Sequence, residues 1–397
     1  MAATHPSPDD PVGAFVPGPP VRIEGRRGGP LEGRRVAVKD VIDVQSTVTG
    51  AGNLVWASTH PPAAHHARCV ARLLEAGADV VGKGVCAEFA YSLSGDNAHF
   101  GMPVNSAAPD RNPGGSTSGP AAAVAAGLAD LGIGTDTLGS IRIPASYCGL
   151  VGYRPTWGAI STNGVLPLAS SFDTVGVLAT DARLLAAAAR VLLDRSAAET
   201  RRPVASIRLV SDARARVEPA IGESLTAAAH ALAREQECAI ETVRLFDDPG
   251  TYDDAMQAFS DIQSVEVWQA YGPWIESHDP QFGPGVGERF EHAATVTIDQ
   301  KRAAETRRAT IAEAVLDALG DGGVLAFPTA GLAPLRTAGP EELQKARLTA
   351  GHLSSLAGLA SAPAVSILAA PVDGAPVGLT LLAAPGDDGR LLDLVAL

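Results

Sequence analysis

Residues 113–145 have the sequence PGGSTSGPAAAVAAGLADLGIGTDTLGSIRIPA, in which two Gly/Ser loops flank an Ala-rich segment. The composition predicts a loop at 113–119, a helix at 120–129, a strand at 131–134, a turn at 135–140 and a second apolar strand from Ile141. Pro120 suits the first turn of a helix, where its missing N–H costs no hydrogen bond. Because the side chains of this helix are small all round, we expect it to be buried tightly against a sheet.

The segments on either side continue this alternation of strands and helices. A strand is predicted at 35–39, a helix at 63–76 that ends at Gly77, and a strand at 78–81. Further helices are predicted at 182–194, 254–270, 300–318 and 347–358, and further strands at 324–327, 364–369 and 377–382. This order predicts an α/β protein with a largely parallel or mixed sheet.

No linker or internal repeat divides the chain into independent domains. The Pro-rich, polar residues 1–20 predict a flexible N-terminal tail. Residues 21–397 are expected to form a single domain, in which the more polar stretch 196–320 is a variable peripheral region.

Composition narrows the range of functions. Of the 397 residues, 46% are hydrophobic and 19% are charged, as in an ordinary soluble globular protein. The net charge of −13 argues against nucleic-acid binding, which needs a basic face. No run of 18 apolar residues and no secretory signal is present, so we expect a cytoplasmic protein without a membrane partner. The four cysteines form no Cys-x-x-Cys pair and the nine histidines form no His-Glu-x-x-His motif, so no metal site is expected.

The two Gly/Ser loops are the candidates for chemistry. The loop at 114–119 lacks the Lys of a P-loop, and the chain has no Gly-x-Ser-x-Gly elbow of an α/β-hydrolase. Ser140 ends a Gly-containing turn whose backbone amides could bind an oxyanion. A serine nucleophile needs a base. Lys39 ends a predicted buried strand, where desolvation lowers the pKa of a lysine towards its neutral, proton-accepting form.

Three motifs in this order resemble the amidase signature family: Val38-Lys39-Asp40, the loop at 114–119, and GTDTLGSIRIPA at 134–145. Lys39 precedes Ser116 by 77 residues and Ser116 precedes Ser140 by 24, and these spacings agree with the family. The resemblance extends from about residue 30 to the C-terminus and is weakest at 196–320. The short segment before Lys39, DNAHFG at 96–101 and PASYCG at 144–149 resemble the short plant-type indole-3-acetamide amidases.

The resemblance implies the amidase signature fold, a central twisted mixed sheet with helices on both faces, and it assigns roles by position. Ser140 would be the nucleophile, Ser116, after an expected cis peptide, would relay its proton, and neutral Lys39 would be the base. Asp136 and Arg142 would brace the turn. The oxyanion hole would consist of the backbone amides of Thr137, Leu138 and Gly139, together with that of Ser140. Tyr91, Ser92 and Phe172 would bind substrate, with packing roles left open for Tyr91 and Phe172.

The implied activity is hydrolysis of a small carboxylic amide to acid and ammonia through an acyl-enzyme, with an aryl-acetamide such as indole-3-acetamide as substrate. Hydrolysis of a ureido or carbamoyl substrate, amide-forming acyl transfer, a non-catalytic binding protein and the glutaminase component of an amidotransferase stay open as alternatives. No metal or organic cofactor is implied, the partner is a small-molecule amide, and a homodimer is left open. Relatives often have Gly where this chain has Leu138, so a narrower pocket is expected.

Overall fold

A sheet of ten strands lies at the centre of the part of the chain that the computed structural model describes, residues 9–194 and 203–396. The strands are β1 (Arg35–Lys39), β2 (Asp79–Gly84), β3 (Leu131–Thr135), β4 (Val151–Arg154), β5 (Val175–Ala179), β6 (Ser206–Val210), β7 (Ala239–Val243), β8 (Gly323–Pro328), β9 (Ala364–Leu368) and β10 (Gly378–Leu382). Their order is β2-β1-β3-β5-β4-β9-β10-β8-β6-β7. The last two strands of the chain therefore lie in the middle of the sheet.

The strand directions make the sheet mixed. At one end β1 runs parallel to both β2 and β3, and at the other end β6 runs parallel to both β7 and β8. Between these ends, every neighbouring pair from β3 through β5, β4, β9 and β10 to β8 is antiparallel. The predicted mixed sheet is confirmed.

Helices cover both faces of this sheet. They are α1 (Leu54–Thr59), α2 (Arg68–Glu75), α3 (Ser118–Ala125), α4 (Arg142–Tyr147), α5 (Ala182–Leu192), α6 (Ser211–Arg214), α7 (Pro219–Glu235), α8 (Thr251–His278), α9 (Val286–Thr295), α10 (Ile298–Leu319), α11 (Pro340–Leu359) and α12 (Asp388–Val395). Val36 and Val38 belong to an apolar cluster with α2 and α5, whereas Ala37 belongs to another with α3. Since successive side chains of a strand point to opposite faces, α3 lies on the face opposite α2 and α5.

Helix α3 is buried with small side chains, as the sequence predicts. All of its residues from Ser118 to Val124 are buried. A Cβ on Gly84 of β2 would lie 2.5 Å from Cδ of Pro120, so glycine there allows the close approach of helix and strand. The helix ends at Ala125, earlier than predicted, and Gly127 follows with a left-handed φ of 73°.

The apolar segment from Ile141 forms α4, so the prediction of a strand there is wrong. The backbone amides of Ile141 and Arg142 donate hydrogen bonds to Asp136 Oδ2 at 3.2 and 3.3 Å. Asp136 therefore satisfies N–H groups at the start of this helix. A short apolar run does not by itself distinguish a buried strand from a buried helix.

The predicted tail at 1–20 does not hold for residues 10–15, and residues 1–8 lie outside the described residues. Val12 and Ala14 are buried. Asp10 accepts hydrogen bonds from the backbone amides of Ala14 and Phe15 at 3.0 and 2.9 Å. A Cβ on Gly82 of β2 would lie 2.3 Å from the ring of Phe15, so this glycine makes the space into which the ring packs.

The stretch 196–320, predicted to be peripheral, contributes both an edge and part of the core, although its residues 196–202 lie outside the described residues. Strand β7 is an outer strand with mostly exposed side chains. Helices α8 and α10, in contrast, supply Phe259, Ile262 and Ile311 to an apolar cluster that also contains Leu138. This stretch therefore supports the turn that carries Ser140.

Candidate active site

Lys39 is the last residue of β1 and is completely buried. Its Nζ donates hydrogen bonds to Ser116 Oγ and to Thr135 Oγ1, each at 2.7 Å. Burial lowers the pKa of Lys39 to about 8, and Cys86 and Asp173 oppose this shift. The amine is therefore neutral in an appreciable fraction of molecules near neutral pH and can then accept the proton of Ser116.

The loop before α3 holds Ser116 against Lys39. The peptide bond between Gly115 and Ser116 is cis. A Cβ on Gly115 would lie 2.1 Å from the carbonyl oxygen of Ser94, so a larger residue does not fit there. Thr117 Oγ1 donates a hydrogen bond to the carbonyl oxygen of Thr135 at 3.4 Å. The first Gly/Ser loop is thereby joined to the second.

Asp136 anchors the turn that carries Ser140. Its carboxylate accepts hydrogen bonds from Arg142 Nε at 3.0 Å, Arg142 Nη2 at 2.9 Å and Arg154 Nη1 at 3.2 Å. All three side chains are completely buried. Burial alone would raise the pKa of Asp136, but the Arg142 and Arg154 guanidiniums hold it well below its usual range. The carboxylate is therefore ionised at neutral pH. Arg154 braces the turn together with the two residues predicted for this role, Asp136 and Arg142.

The backbone N–H groups of the turn at 137–140 are available as hydrogen-bond donors. Among the described residues, no hydrogen-bond acceptor contacts any of these four N–H groups. Arg154 Nη1 donates to the carbonyl oxygen of Thr137 at 3.2 Å, which orients the first peptide of the turn. The left-handed φ of 136° falls on Gly139 and not on Leu138, so leucine is accommodated at 138 without backbone strain. Four orphan donors beside a serine can stabilise an oxyanion.

Two cavities that share lining residues lie at this site, and Ser140 lines the smaller one. The smaller has a volume of about 20 Å³ and is lined by Ala90, Tyr91, Ser92, Leu93, Leu138, Ser140, Leu168, Gln263 and Arg347. The larger has a volume of about 160 Å³ and shares Ser92, Leu93 and Arg347 with the smaller. Predicted site residues Tyr91, Ser92 and Leu138 therefore lie on the same cavity as the predicted nucleophile.

Phe172, predicted to bind substrate, lies in the core instead. Its ring is completely buried, stacks on Phe259 with centroids 4.3 Å apart, and has the Arg308 guanidinium carbon 4.6 Å from its centroid. Phe172 lines neither of these two cavities. The structure favours the packing role that the sequence left open for this residue.

The predicted triad is only partly connected by hydrogen bonds. Lys39 and Ser116 are in direct contact, but within the described residues no hydrogen bond joins Ser116 Oγ to Ser140 Oγ. Catalytic hydrogen bonds are often long in the absence of substrate and shorten when it binds. The roles of the three residues stay predictions.

Sequence reasoning missed several polar residues at the site. Thr135 contacts Lys39 and belongs to the GTDTLGS motif, so the motif itself could have drawn attention to it. Gln263 of α8 and Arg347 of α11 reach the small cavity from segments without any motif. No signal in the sequence marks these two residues.

Other features bear on cofactors and nucleophiles. Cys148 Sγ donates to the carbonyl oxygen of Pro113 at 3.3 Å, and burial raises the pKa of this thiol, so Cys148 is a poor nucleophile. Within residues 9–194 and 203–396, no group of three or more His, Cys, Asp or Glu side chains is placed to hold a metal ion. No helix in the same ranges has the length and apolar character needed to cross a bilayer.

Comparison with known proteins identifies the family. The family model described as Amidase matches residues 20–392. The chain is 38% identical to Amidase 1 of Arabidopsis thaliana, with 92% of each chain covered. It is 34% identical to Amidase 1 of Oryza sativa subsp. japonica, with 92% of this chain and 90% of that one covered. It is also 35% identical to one of the subunits of the glutamyl-tRNA(Gln) amidotransferase of Methanothermobacter thermautotrophicus, with 93% of this chain and 84% of that one covered. A crystal structure of an amidase has a TM-score of 0.82 at 28% identity, with 93% of this chain and 84% of that one covered.

The chain belongs to the amidase family and is an amide-hydrolysing enzyme. The mixed α/β fold with helices on both faces agrees with that of its structural neighbours. The resemblance inferred from the three sequence motifs is confirmed.

Proposed function

We propose that this enzyme hydrolyses a small primary amide through an acyl-enzyme on Ser140. The observation that carries the proposal is the 2.7 Å contact between Nζ of the buried Lys39 and Oγ of Ser116, in a site where Ser140 lines the adjoining cavity. A lysine with a pKa of about 8 can serve as a base near neutral pH.

In the first half-reaction, neutral Lys39 takes the proton of Ser116 while Ser116 takes that of Ser140. Ser140 Oγ forms a bond to the carbonyl carbon of the amide. The carbonyl oxygen gains the negative charge and is held by the N–H groups of residues 137–140. The C–N bond then breaks as the proton returns through Ser116 to the nitrogen, so ammonia leaves and an ester remains on Ser140.

In the second half-reaction, water replaces the departed ammonia. Its proton passes along the same route to Lys39 while its oxygen bonds to the ester carbon. When the ester bond breaks, the proton returns to Ser140 Oγ and the carboxylic acid is released. One amide and one water thus give one acid and one ammonia, and the enzyme is regenerated.

The lining of the cavities supports an aryl-acetamide, of which indole-3-acetamide is an example, as the substrate class. Leu138 and Leu168 make the wall beside Ser140 apolar, and Ile143 and Tyr147 continue an apolar surface into the larger cavity. A planar ring joined by one methylene to the amide can follow this surface from Ser140 outward, where burial of apolar area favours binding.

The test measures ammonia release from phenylacetamide, indole-3-acetamide, biuret and glutamine by the wild-type enzyme and by Ser140→Ala. We expect release from the aryl-acetamides and a loss of at least about 10³-fold in kcat for Ser140→Ala, because the nucleophile is removed. Glutamine is included because one relative belongs to an amidotransferase, and biuret because it tests ureido hydrolysis.

The control variant is Ser146→Ala. Ser146 is a buried serine of α4 whose hydroxyl has no partner among the described residues, so its removal should leave ammonia release unchanged. Wild-type rates in Ser140→Ala would overturn the mechanism. Ammonia release from biuret or glutamine alone would overturn the aryl-acetamide assignment but would not contradict the acyl-enzyme mechanism.

A further inference from the structure

Two arginines line the larger cavity, and neither has an anionic partner among the described residues. Arg289 of α9 and Arg347 of α11 both line the larger cavity, and Arg347 also lines the smaller one with Ser140. Within the described residues neither side chain makes an ion pair or a hydrogen bond, and the Nε of Arg289 is buried without a partner. Burial, reinforced by the neighbouring charge of Arg347, lowers the pKa of Arg289 to about 10, so it is still protonated at neutral pH.

These two half-buried arginines differ from Arg142, Arg154 and Arg336, whose guanidiniums have acceptors. Arg142 and Arg154 both bind the carboxylate of Asp136, and Arg336 donates to two backbone carbonyl oxygens. Removing a guanidinium from bulk water is costly unless an acceptor replaces the lost hydration. Two adjacent guanidiniums that lack such acceptors therefore mark a place where an anion would be stabilised.

Nearby acidic residues do not neutralise the pair. Asp96 lines the same cavity and, like Glu288, is close enough to raise the pKa of Arg289. In the part of the chain that the structure describes, however, Asp96 forms no ion pair with either arginine, and Glu288 accepts a hydrogen bond from the backbone amide of Gly285. The charged side chains lining the two cavities therefore carry a net positive charge, although the whole chain has a net charge of −13. Such a local excess of positive charge attracts small anions.

A neighbouring aromatic ring also orients one arginine of the pair. The guanidinium carbon of Arg289 lies 5.6 Å from the centroid of the Tyr91 ring, which is a cation–π contact. Tyr91 in turn lines the small cavity beside Ser140. Guanidinium groups offer paired N–H donors that match the two oxygens of a carboxylate.

We propose that the substrate of this enzyme carries a carboxylate on its acyl group, bound by Arg289 and Arg347 while the amide lies at Ser140. The substrate class is the monoamides of dicarboxylic acids, including aryl-acetamides with an acidic substituent on the ring. This inference rests on the proposed amidase function of the same site and adds to it the part of the substrate remote from the scissile bond.

The test compares matched substrates that differ in charge. One pair is 4-(carbamoylmethyl)benzoate and 4-nitrophenylacetamide, in which the nitro group replaces the carboxylate with similar shape and no charge. The other pairs are succinamate, glutaramate and adipamate, each against the straight-chain neutral amide with the same number of carbons. We expect the wild-type kcat/KM to be higher for the anionic member of at least one pair, with the difference mainly in KM.

The preference for the anionic member of a pair is its kcat/KM divided by the kcat/KM of the neutral member. The variants Arg289→Gln and Arg347→Gln should lower this ratio. The expected reduction is about 10- to 100-fold, because hydrogen bonds to charged groups are lost. Arg302→Gln is the matched control, since Arg302 is an exposed arginine of α10 paired with Asp299, and it should leave the ratio at the wild-type value. Thermal unfolding of each variant verifies that it is folded.

The outcomes separate this inference from the proposed function. If the wild type hydrolyses neutral amides with no preference for any anionic partner, or if both arginine variants keep the wild-type ratio, the carboxylate assignment is wrong and the amidase mechanism stands. If no amide in either set is hydrolysed, or if Ser140→Ala keeps full activity, the proposed function itself is wrong.

Discussion

Replacing Asp136 by asparagine should destabilise the protein and disable the candidate site together. The carboxylate is completely buried and is the acceptor for three hydrogen bonds from Arg142 and Arg154. It also accepts from the backbone amides of Ile141 and Arg142 at the start of α4. Asparagine has nearly the same shape, so the substitution removes the charge and one acceptor and opens almost no cavity.

The expected loss follows from the charges that remain. Breaking a buried ion pair by removing one partner costs about 3–5 kcal/mol, because the other charge stays buried without compensation. Here one carboxylate serves two buried guanidiniums, so we expect a loss at the upper end of this range. Domains are typically stable by about 5–15 kcal/mol, so Asp136→Asn would lose a large share of the free energy of unfolding.

The assay is equilibrium urea denaturation, followed by fluorescence and far-UV circular dichroism, with ammonia release measured on the same samples. The difference between wild type and Asp136→Asn should be constant from pH 5 to pH 8. Asp136 has a folded-state pKa below the value of 3.8 for an unperturbed carboxyl, so the stability it contributes is fully present above that value and is lost only as the pH falls below it.

The matched control is Asp299→Asn, which removes one partner of an exposed ion pair with Arg302. Such pairs contribute at most about 1 kcal/mol, so this variant should unfold close to the wild-type midpoint. If Asp136→Asn unfolded at the wild-type midpoint with an unchanged m-value, the role assigned to Asp136 would be refuted. A destabilised variant with full activity would show that the brace is not needed for the turn at 137–140.

Two further predictions concern the base and the pocket. The value of kcat/KM should rise about tenfold per pH unit at low pH and level off above about pH 8, because Lys39 must be neutral and its pKa is about 8. A flat profile from pH 6 to pH 9 would exclude Lys39 as the base. Leu138→Gly should enlarge the cavity of about 20 Å³ beside Ser140, so kcat/KM should rise for bulkier acyl groups while phenylacetamide is still hydrolysed. Loss of activity towards every amide would contradict this view.

Local features of the sequence were sufficient to predict much of the fold. The strand at 35–39, the buried Ala-rich helix and the strand after it all follow from short-range patterns of small, apolar and Gly residues. The predicted strand at Ile141 failed because a short apolar run suits both a buried strand and a buried helix. The hydrogen bonds that the backbone amides of Ile141 and Arg142 donate to Asp136 favour the helix.

At the candidate site, too, the sequence predicted some features and only the structure showed others. Motif order and spacing pointed to Lys39, Ser116 and Ser140, and the structure places the first two 2.7 Å apart. The packing of Phe172 against Phe259 was beyond the sequence, because an aromatic residue in a loop can point either into a cavity or into the core. The direction of such a side chain depends on neighbours that are distant in sequence.

The sequence by itself thus determined the amidase family, the mixed α/β fold and the residues proposed for proton transfer and acyl transfer. These features depend on glycines, turns and motifs within short stretches of chain. Such local patterns can be recognised without knowledge of long-range contacts. Only the tertiary structure placed Arg347 of α11 on the cavity that Ser140 lines and Arg289 of α9 with Arg347 on the larger cavity. They come from separate helices without any motif, and folding alone brings their charges together beside the acyl pocket.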